Sequence, residues 1–569
     1  MVAFALIPFL LAGVSPLSAV AAPLQGLTIT AASVKGAPIF PPINYGLSGL
    51  CKLPLLQEIC AIVAAKTSSG IQVTTPIGVA AGVSDGSGAS RFPVKYASAT
   101  RWEASTISTK WTLPTGATNA SGLPLACPQP LVDPSTYAED CLSMILYVPT
   151  SLKANSGAPT LLWIHGGSFI TGSATGPGLD GSKLAIATNS IVAVMQYRLG
   201  ALGFMAPSGT TNLAVKDTIN AMSFLAKVVP SFGGSASKIT LAGQSSGAGM
   251  IRALLATPSA SSLFQSAILQ SDPIDYGFLN ASTQVALQSS FNTLTGCTAS
   301  NKACQNALSL EAIINAQVTL CSDASSIDPS TGTAEPVRPV RDGSLITTPL
   351  DLTAAFPSVN KPILLSNVRN EAGPTIFSMF TAAIDSSIFE DAAQGSLGDA
   401  RASTVMASGF YNTSVSDTRI PLETLGTDYV WRCPTWSLAR SWVAHGGKAF
   451  VGVYYTGATY PANNDIAFCL EAGSVCHQDD IEIVFGTVPN PTTAQAALTT
   501  EMQARYKAFL TTGSPNVAGL LPWTAATTTD VHAHQLGGTP TPSGEVPAGA
   551  CEQSFWGDSV DYDYQVYGI

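Results

Sequence analysis

Five short stretches of this chain are almost wholly apolar, and each is about the length of one strand. They are Pro159–Ile164 (PTLLWI), Ser190–Gln196 (SIVAVMQ), Lys238–Ala242 (KITLA), Ser266–Gln270 (SAILQ) and Lys361–Leu365 (KPILL). A strand with one wet face alternates apolar and polar residues. Uninterrupted runs instead predict strands buried on both faces of a large, mostly parallel sheet. Between them lie stretches of helical length, such as Ala214–Val229 and Ser246–Thr257. Strands alternating with helices predict an α/β architecture with helices flanking the sheet. The sequence shows neither a solenoid-type repeat nor a long low-complexity linker. One large domain is therefore expected over residues 71–569, after a lead-in at 23–70 that is rich in Ala, Pro and Gly.

Composition removes several alternatives. Charged residues make up 11% of the chain, less than half the usual ~25%, which excludes a disordered or coiled-coil protein. Mean hydropathy is +0.28, yet the 50 Gly and 38 Pro are scattered throughout. Only the N-terminus carries a long apolar run, so the repeated spans of a polytopic membrane protein are missing. The net charge of −10 disfavours nucleic acid, which is bound by clustered Lys and Arg, and equally an anionic membrane surface.

Residues 1–22 read as a secretory signal peptide, with an apolar core at Phe4–Val14 and a small-x-small cleavage site at Ala19-Val20-Ala21. The competing reading, a buried or anchoring helix, is weakened by Pro16 and the small residues, which stop the run short of a membrane span. A secreted, extracellular protein without a stable membrane anchor is expected. The 11 cysteines then suggest disulfides with one thiol left over. Local spacing suggests Cys51–Cys60, Cys127–Cys141, Cys297–Cys304 and Cys469–Cys476. Cys433 and Cys551 form a distant pair, and Cys321 stays free. A zinc site fits poorly, since the pairs lack CxxC spacing and nearby histidines. Sequons at Asn119, Asn280 and Asn412 fit glycosylation of a secreted chain.

The pattern G-x-S-x-G occurs twice. Gly82–Gly86 (GVSDG) sits in a Gly/Ser-rich region with no clear strand before it and no helix after it, and reads as a loop. Gly243–Gly247 (GQSSG) follows KITLA and opens the helical stretch SGAGMIRALLAT. That strand-turn-helix context is what a nucleophile elbow requires. Ser245 then projects at a helix N-terminus, where N–H groups favour a developing anion. Upstream, TLLWI runs into His165-Gly166-Gly167-Ser168-Phe169, a loop whose glycines let backbone N–H groups approach a substrate oxygen. Together the two motifs predict an acyl-transfer site.

These motifs, with others in order, resemble the type-B carboxylesterase/lipase family, which includes the cholinesterases and the larger fungal lipases. The resemblance runs over about residues 71–556. It includes Glu139-Asp140-Cys141-Leu142, Tyr197–Phe204 (YRLGALGF), Phe232-Gly233-Gly234, Leu263-Phe264, Gln270-Ser271 and His477–Gly486 (HQDDIEIVFG). It implies an α/β-hydrolase fold and a Ser245–Glu371–His477 triad. Glu371 stands in Arg369–Gly373 (RNEAG), which resembles the family's acidic loop after a strand. His477 stands where the family places its histidine. Of the other four of the five histidines, His165 belongs to the oxyanion loop and precedes the serine, His445 lies in AHGGK beside an expected helix end, and His532 and His534 lie in a polar Thr-rich stretch. Asp479 and Asp480 are too near His477 to match the family order. The resemblance also implies an oxyanion hole made by the N–H groups of Gly167, Ser168 and Ser246. His477 would take the Ser245 proton, Glu371 would support the imidazolium, and water would hydrolyse the acyl-enzyme. That chemistry calls for no metal and no cofactor, only a small-molecule ester.

Departures from the family pattern are Ser168 for a glycine, Gln244 for a carboxylate, Ser246 for an alanine and Gln478 for a glycine. No member of the triad is missing, which separates the chain from silent adhesion relatives. Residues 128–140 contain no Trp, so the aromatic platform for a quaternary ammonium is absent and a cholinesterase is not expected. The same loop carries three prolines and few apolar side chains, whereas the fungal lipases carry an amphipathic flap there. Soluble short- to medium-chain esters are therefore expected ahead of triacylglycerols or sterol esters.

Overall fold

The computed structural model describes residues 70–332, 335–348, 350, 358–539 and 541–556. Residues 1–69, with the expected signal peptide, nearly all of the lead-in and the Cys51–Cys60 pair, lie outside the described residues. The main sheet has 11 strands. In chain order they are β1 (Ile71–Thr75), β2 (Gly78–Ser84), β3 (Ala89–Lys95), β4 (Ser143–Pro149), β5 (Ala158–Ile164) and β6 (Ile191–Met195). They continue as β7 (Gly234–Gln244), β8 (Ser266–Gln270), β9 (Pro362–Val368), β10 (Lys448–Tyr454) and β11 (His534–Leu536). The spatial order is β1-β2-β3-β4-β6-β5-β7-β8-β9-β10-β11. Pairing is antiparallel from β1 to β4 and between β4 and β6. From β6 to β11 every neighbour is parallel.

All five apolar runs are strands of the parallel part, and their composition has a packing cause. On β5, Leu162 and Ile164 enter the core on one face, while Leu161 and Trp163 enter the core on the other. On β7, Ile239 and Leu241 face one core and Ala242 the other. A strand with two dry faces has no place for alternation. Trp163 is fully buried edge-on to Phe485, with ring centroids 4.9 Å apart. Truncating such a side chain typically costs about 3–5 kcal/mol.

The two helical expectations correspond to α1 (Leu213–Val228) and α2 (Ser246–Leu255). Arg198 of the YRLGALGF run ties its segment to α1. Its guanidinium donates to both oxygens of buried Asp217 at 2.7 Å. Strand β7 starts earlier than the apolar run KITLA, because Ser235–Lys238 are solvent-facing and carry no apolar signal.

One expectation is corrected. The first G-x-S-x-G motif does have a strand before it: β2 runs through Ser84 and turns tightly into β3. Asp85 caps that turn by accepting N–H bonds from Ser87, Gly88 and Ala89. A hairpin follows rather than a helix, so no elbow forms there. Half-exposed Gly, Ala and Ser give β2 little apolar contrast, which hid it from the sequence reading.

Four of the expected disulfides are formed: Cys127–Cys141, Cys297–Cys304, Cys433–Cys551 and Cys469–Cys476. Cys321 is a free, half-buried thiol. Asn119 and Asn412 are exposed, whereas Asn280 is half-buried. The Asn280 side chain caps the helix Ala281–Thr295 by accepting from the Ser282 N–H. The described residues from Ile71 onward form one compact unit.

Candidate active site

Strand β7 ends at Gln244, and α2 begins at Ser246. Ser245 between them has φ 57° and ψ −132°. Holding a non-glycine residue there costs about 1–3 kcal/mol and needs support from its surroundings. The support is close packing. A Cβ on Gly247 would lie 2.1 Å from the Ile164 carbonyl oxygen, so only glycine lets the turn lie against the end of β5. The Ser245 N–H is fixed by the Gln270 carbonyl at 2.9 Å, at the end of β8.

The loop after β5 meets this turn. His165 is buried, stacks on Tyr197 with centroids 4.8 Å apart, and places Nδ1 2.8 Å from the Gly166 carbonyl. Burial pushes its imidazole down to about 4, so it is neutral and structural. Gly167 and Ser168 follow with φ of 113° and 53°. The Phe169 N–H donates to Ser246 Oγ at 3.1 Å. The extra hydroxyl beside Ser245 therefore locks the loop onto the elbow. Among the described backbone hydrogen bonds, the N–H groups of Gly167, Ser168 and Ser246 reach no protein acceptor.

Two further loops bring the acid and the histidine. Glu371 follows β9 and is 1% exposed. Its Oε1 accepts the Val368 N–H at 2.8 Å, and its Oε2 lies 2.6 Å from His477 Nδ1. Asn370 binds Val475 through backbone and side chain, which joins the two loops directly. His477 comes straight after the Cys469–Cys476 disulfide. Gln478, where the family pattern has glycine, takes φ 80°, a conformation glycine adopts freely. Burial alone lowers the His477 pKa. The hydrogen bond and charge of Glu371, with the charges of Asp480 and Glu335, outweigh burial and hold it above the ordinary histidine value.

Asp479 and Asp480 are not partners of the imidazole. Asp479 shapes the histidine loop by accepting the N–H groups of Cys476 and Tyr460. Asp480 accepts from Gln270 Nε2 at 2.5 Å. His445 ends a helix at Cys433–Ala444, His532 lies beside Asp530 and Glu545, and His534 stacks on Trp523. Asp428, Cys433 and Cys551 form a cluster of metal-type ligands, but both sulfurs belong to a disulfide.

Three contacts around the site escaped the sequence reading. Gln244 Nε2 lies 3.1 Å from His477 Nε2. Glu335 is a buried carboxyl that takes a hydrogen bond from the Ser168 side chain, and burial pushes its pKa up to about 7. Trp431, on a π-helical turn at Thr427–Arg432, sits 5.6 Å from the His477 ring. It also lines an apolar pocket, with Tyr276, Leu397 and Val430, holding about 620 Å³ of space that is partly open to solvent. A π-turn is a recurrent mark of functional sites, but it has no sequence signature.

The geometry thus joins a serine at an elbow, a carboxylate–imidazole pair and three free N–H groups. The model of the carboxylesterase family matches residues 72–553. The cAMP-regulated D2 protein of Dictyostelium discoideum is 30% identical over 308 residues, covering 53% of this chain and 56% of that protein. Phenmedipham hydrolase of Pseudarthrobacter oxydans is 39% identical over 184 residues, covering 30% and 36%. Para-nitrobenzyl esterase of Bacillus subtilis (strain 168) is 37% identical over 157 residues, covering 26% and 32%. The chain thus spans little more than half the length of the first of these relatives and about a third of the others. A solved PNB esterase superposes with a TM-score of 0.67 at 23% identity, covering 82% of this chain and 96% of its own, which fixes the fold as an α/β-hydrolase. With a family model matched across the whole sheet and its connecting loops, the chain belongs to the carboxylesterase family.

Proposed function

We propose that the protein hydrolyses carboxylic esters through an acyl-enzyme on Ser245. The observation that carries this reading is the 2.6 Å contact between His477 Nδ1 and Glu371 Oε2, with the other ring nitrogen turned toward the Gln244–Ser245 elbow. With Nδ1 giving its proton to Glu371, Nε2 carries a lone pair and accepts the Ser245 proton as Oγ attacks the carbonyl. The N–H groups of Gly167, Ser168 and Ser246 receive the oxyanion. Losing one such donor typically costs about 3 kcal/mol of transition-state stabilisation. His477 returns its proton to the leaving alcohol, and water repeats the sequence on the acyl-enzyme.

Soluble short- to medium-chain esters are the proposed substrates, supported by the apolar pocket beside Trp431 and by the short disulfide loop Cys127–Cys141, which Gln129 ties to the Gly172 backbone. Secretion is supported by the four disulfides and by exposed sequon asparagines at 119 and 412, where glycans are proposed. No described helix is long and apolar enough to cross a membrane.

Ser245→Ala should abolish hydrolysis of a chromogenic short-chain ester and leave the protein inert to organophosphates. Ser84→Ala, in the other G-x-S-x-G motif, should stay near wild type. Phosphonylation mapped by mass spectrometry to a serine other than 245 would remove the assignment.

A further inference from the structure

A buried carboxyl that the hydrolytic scheme does not use is bound to the acid loop. Glu423 lies on the helix Arg419–Gly426, which leads directly into the π-helical turn Thr427–Arg432. Its Oε2 accepts the Asn370 side-chain N–H at 3.2 Å, and its Oε1 accepts the Thr427 hydroxyl at 2.7 Å. The Ala372 N–H in turn donates to Thr427 Oγ1 at 3.0 Å. Asn370 and Ala372 flank Glu371 in the chain. The residues on both sides of Glu371 therefore converge on one carboxyl. A Cβ on Gly426 would stand 2.8 Å from the Ala372 Cβ, so glycine is what lets the helix come this close.

Asn370 passes the constraint on. Its Oδ1 accepts the Val475 N–H at 3.2 Å, and its own backbone N–H donates to the Val475 carbonyl at 2.9 Å. Val475 stands two residues before His477. A side-chain amide can be turned end for end, and its partners decide which end faces which. An ionised carboxylate only accepts, so Glu423 draws the Nδ2 end of Asn370 and leaves Oδ1 for the Val475 N–H. Thr427 opens the turn that carries Trp431, whose ring lies 5.6 Å from the imidazole. One buried acid thus joins the acid loop, the histidine loop and the aromatic wall beside them. Burying a carboxyl is costly unless it is hydrogen-bonded. The helix that carries it already packs through Leu422 and Leu425, so its anchorage does not need the acid.

We propose that Glu423 is a positioning residue for the proposed triad, which through Asn370 and Thr427 holds Glu371 at hydrogen-bonding distance from His477 Nδ1. It touches neither substrate nor reacting atoms, and no bond to it is made or broken. The arrangement survives protonation of the carboxyl. A proton on Oε1 donates to Thr427 Oγ1, which keeps a second lone pair for the Ala372 N–H. The threonine then turns its own proton to the Glu423 backbone carbonyl one helical turn back, and Oε2 still accepts from Asn370. The charged groups that bear on this carboxyl are Asp428 and Arg432. Those that bear on the imidazole are Glu371, Asp480 and Glu335.

This inference rests on the hydrolase reading, and the two are separable. Wild-type turnover tests the reading, whereas variant-to-wild-type ratios test the role of Glu423. Glu423→Met fills the space and removes both acceptors. Per site counted by organophosphate titration, it should lower kcat about ten-fold with KM within about two-fold. The acid limb of kcat/KM should move down by about half a unit, because the Glu371 hydrogen bond that raises His477 is loosened. Glu423→Gln removes the charge but copies the protonated acid, with its amide N–H on Thr427 and its oxygen on Asn370. It should keep kcat within about two-fold of wild type and leave the limb in place. A role confined to stability would lower the melting temperature and leave both per-site quantities as in the wild type. Wild-type kcat or an unmoved limb in Glu423→Met overturns the proposal, as does a Glu423→Gln enzyme as impaired as Glu423→Met. If Glu423→Met does not fold, Glu423→Asp takes its place. It keeps the charge but sets the acceptor back by one methylene, so a smaller loss and shift in the same directions are expected, and wild-type values there overturn the role.

Discussion

Glu371 and His477 show how burial and charge compete at one pair of side chains. Glu371 keeps both oxygens occupied, one by a backbone N–H and one by the imidazole. Replacing it by glutamine preserves shape but removes the anion that supports the imidazolium. Glu371→Gln should fold normally by circular dichroism and lose turnover by a factor on the order of 10⁴. The pH profile follows from the same pair. The proposed mechanism needs neutral His477, and the surrounding acids hold the proton on the ring above its ordinary value near ~6.5. The acid limb of kcat/KM should therefore lie above that value with a single-proton slope. A limb below it would mean that burial outweighs Glu371.

The disulfide loop Cys127–Cys141 decides, at the level of elements, whether the site is gated. Its only regular structure is one tight turn at Pro134–Thr136, too short to be an amphipathic flap. The Ala126 N–H donates to the Thr136 carbonyl and the Ala138 N–H to the Ala126 carbonyl, each at 3.0 Å, which closes the loop on itself. Gln129 reaches across and both donates to and accepts from the Gly172 backbone at 2.9 Å. Gly172 lies just beyond the oxyanion loop, so the disulfide loop is tethered to the rigid part of the site. Leu131 and Val132 are exposed, without a broader apolar face to partition onto lipid. Kinetics on soluble esters should saturate normally, with no jump in rate at the solubility limit. A sharp rise above that limit, measured with an emulsified triglyceride, would transfer the protein to the lipase class.

The whole molecule stores protons on buried acids. Burial pushes Glu335, Glu423 and Asp479 up to about 7 and Asp480 up to about 6. In the unfolded chain these groups ionise near ~4. Between those limits the folded state binds more protons than the unfolded one, so stability falls as pH rises. His165 and His534 oppose this, because burial lowers both to about 4 and the unfolded chain takes up their protons first. Four acids against two histidines leave the acids ahead. The melting temperature should be highest near pH 5 and decline toward pH 7.5. A steady rise over that interval would show that these carboxyls find compensating partners when ionised.

What the sequence determined by itself was local. Both-face burial writes itself into five apolar runs, and a strand-turn-helix needs its glycines within five positions, so the parallel sheet and Ser245 could be read directly. Three short-range disulfides followed from spacing, because nearby cysteines close small loops. The antiparallel strands at the N-terminal edge were faint, since half-exposed Gly, Ala and Ser give weak alternation. Glu371 and His477, 106 residues apart, were legible only through the family resemblance, as no local rule links residues on separate loops. Tertiary structure alone decided the rest. The Gln244 amide meets His477 across 233 residues, Glu335 turns inward to Ser168, and a π-turn carries Trp431 to the imidazole. Each depends on where chain ends of different strands converge, and that convergence is set by sheet order and packing rather than by any residue's neighbours in sequence.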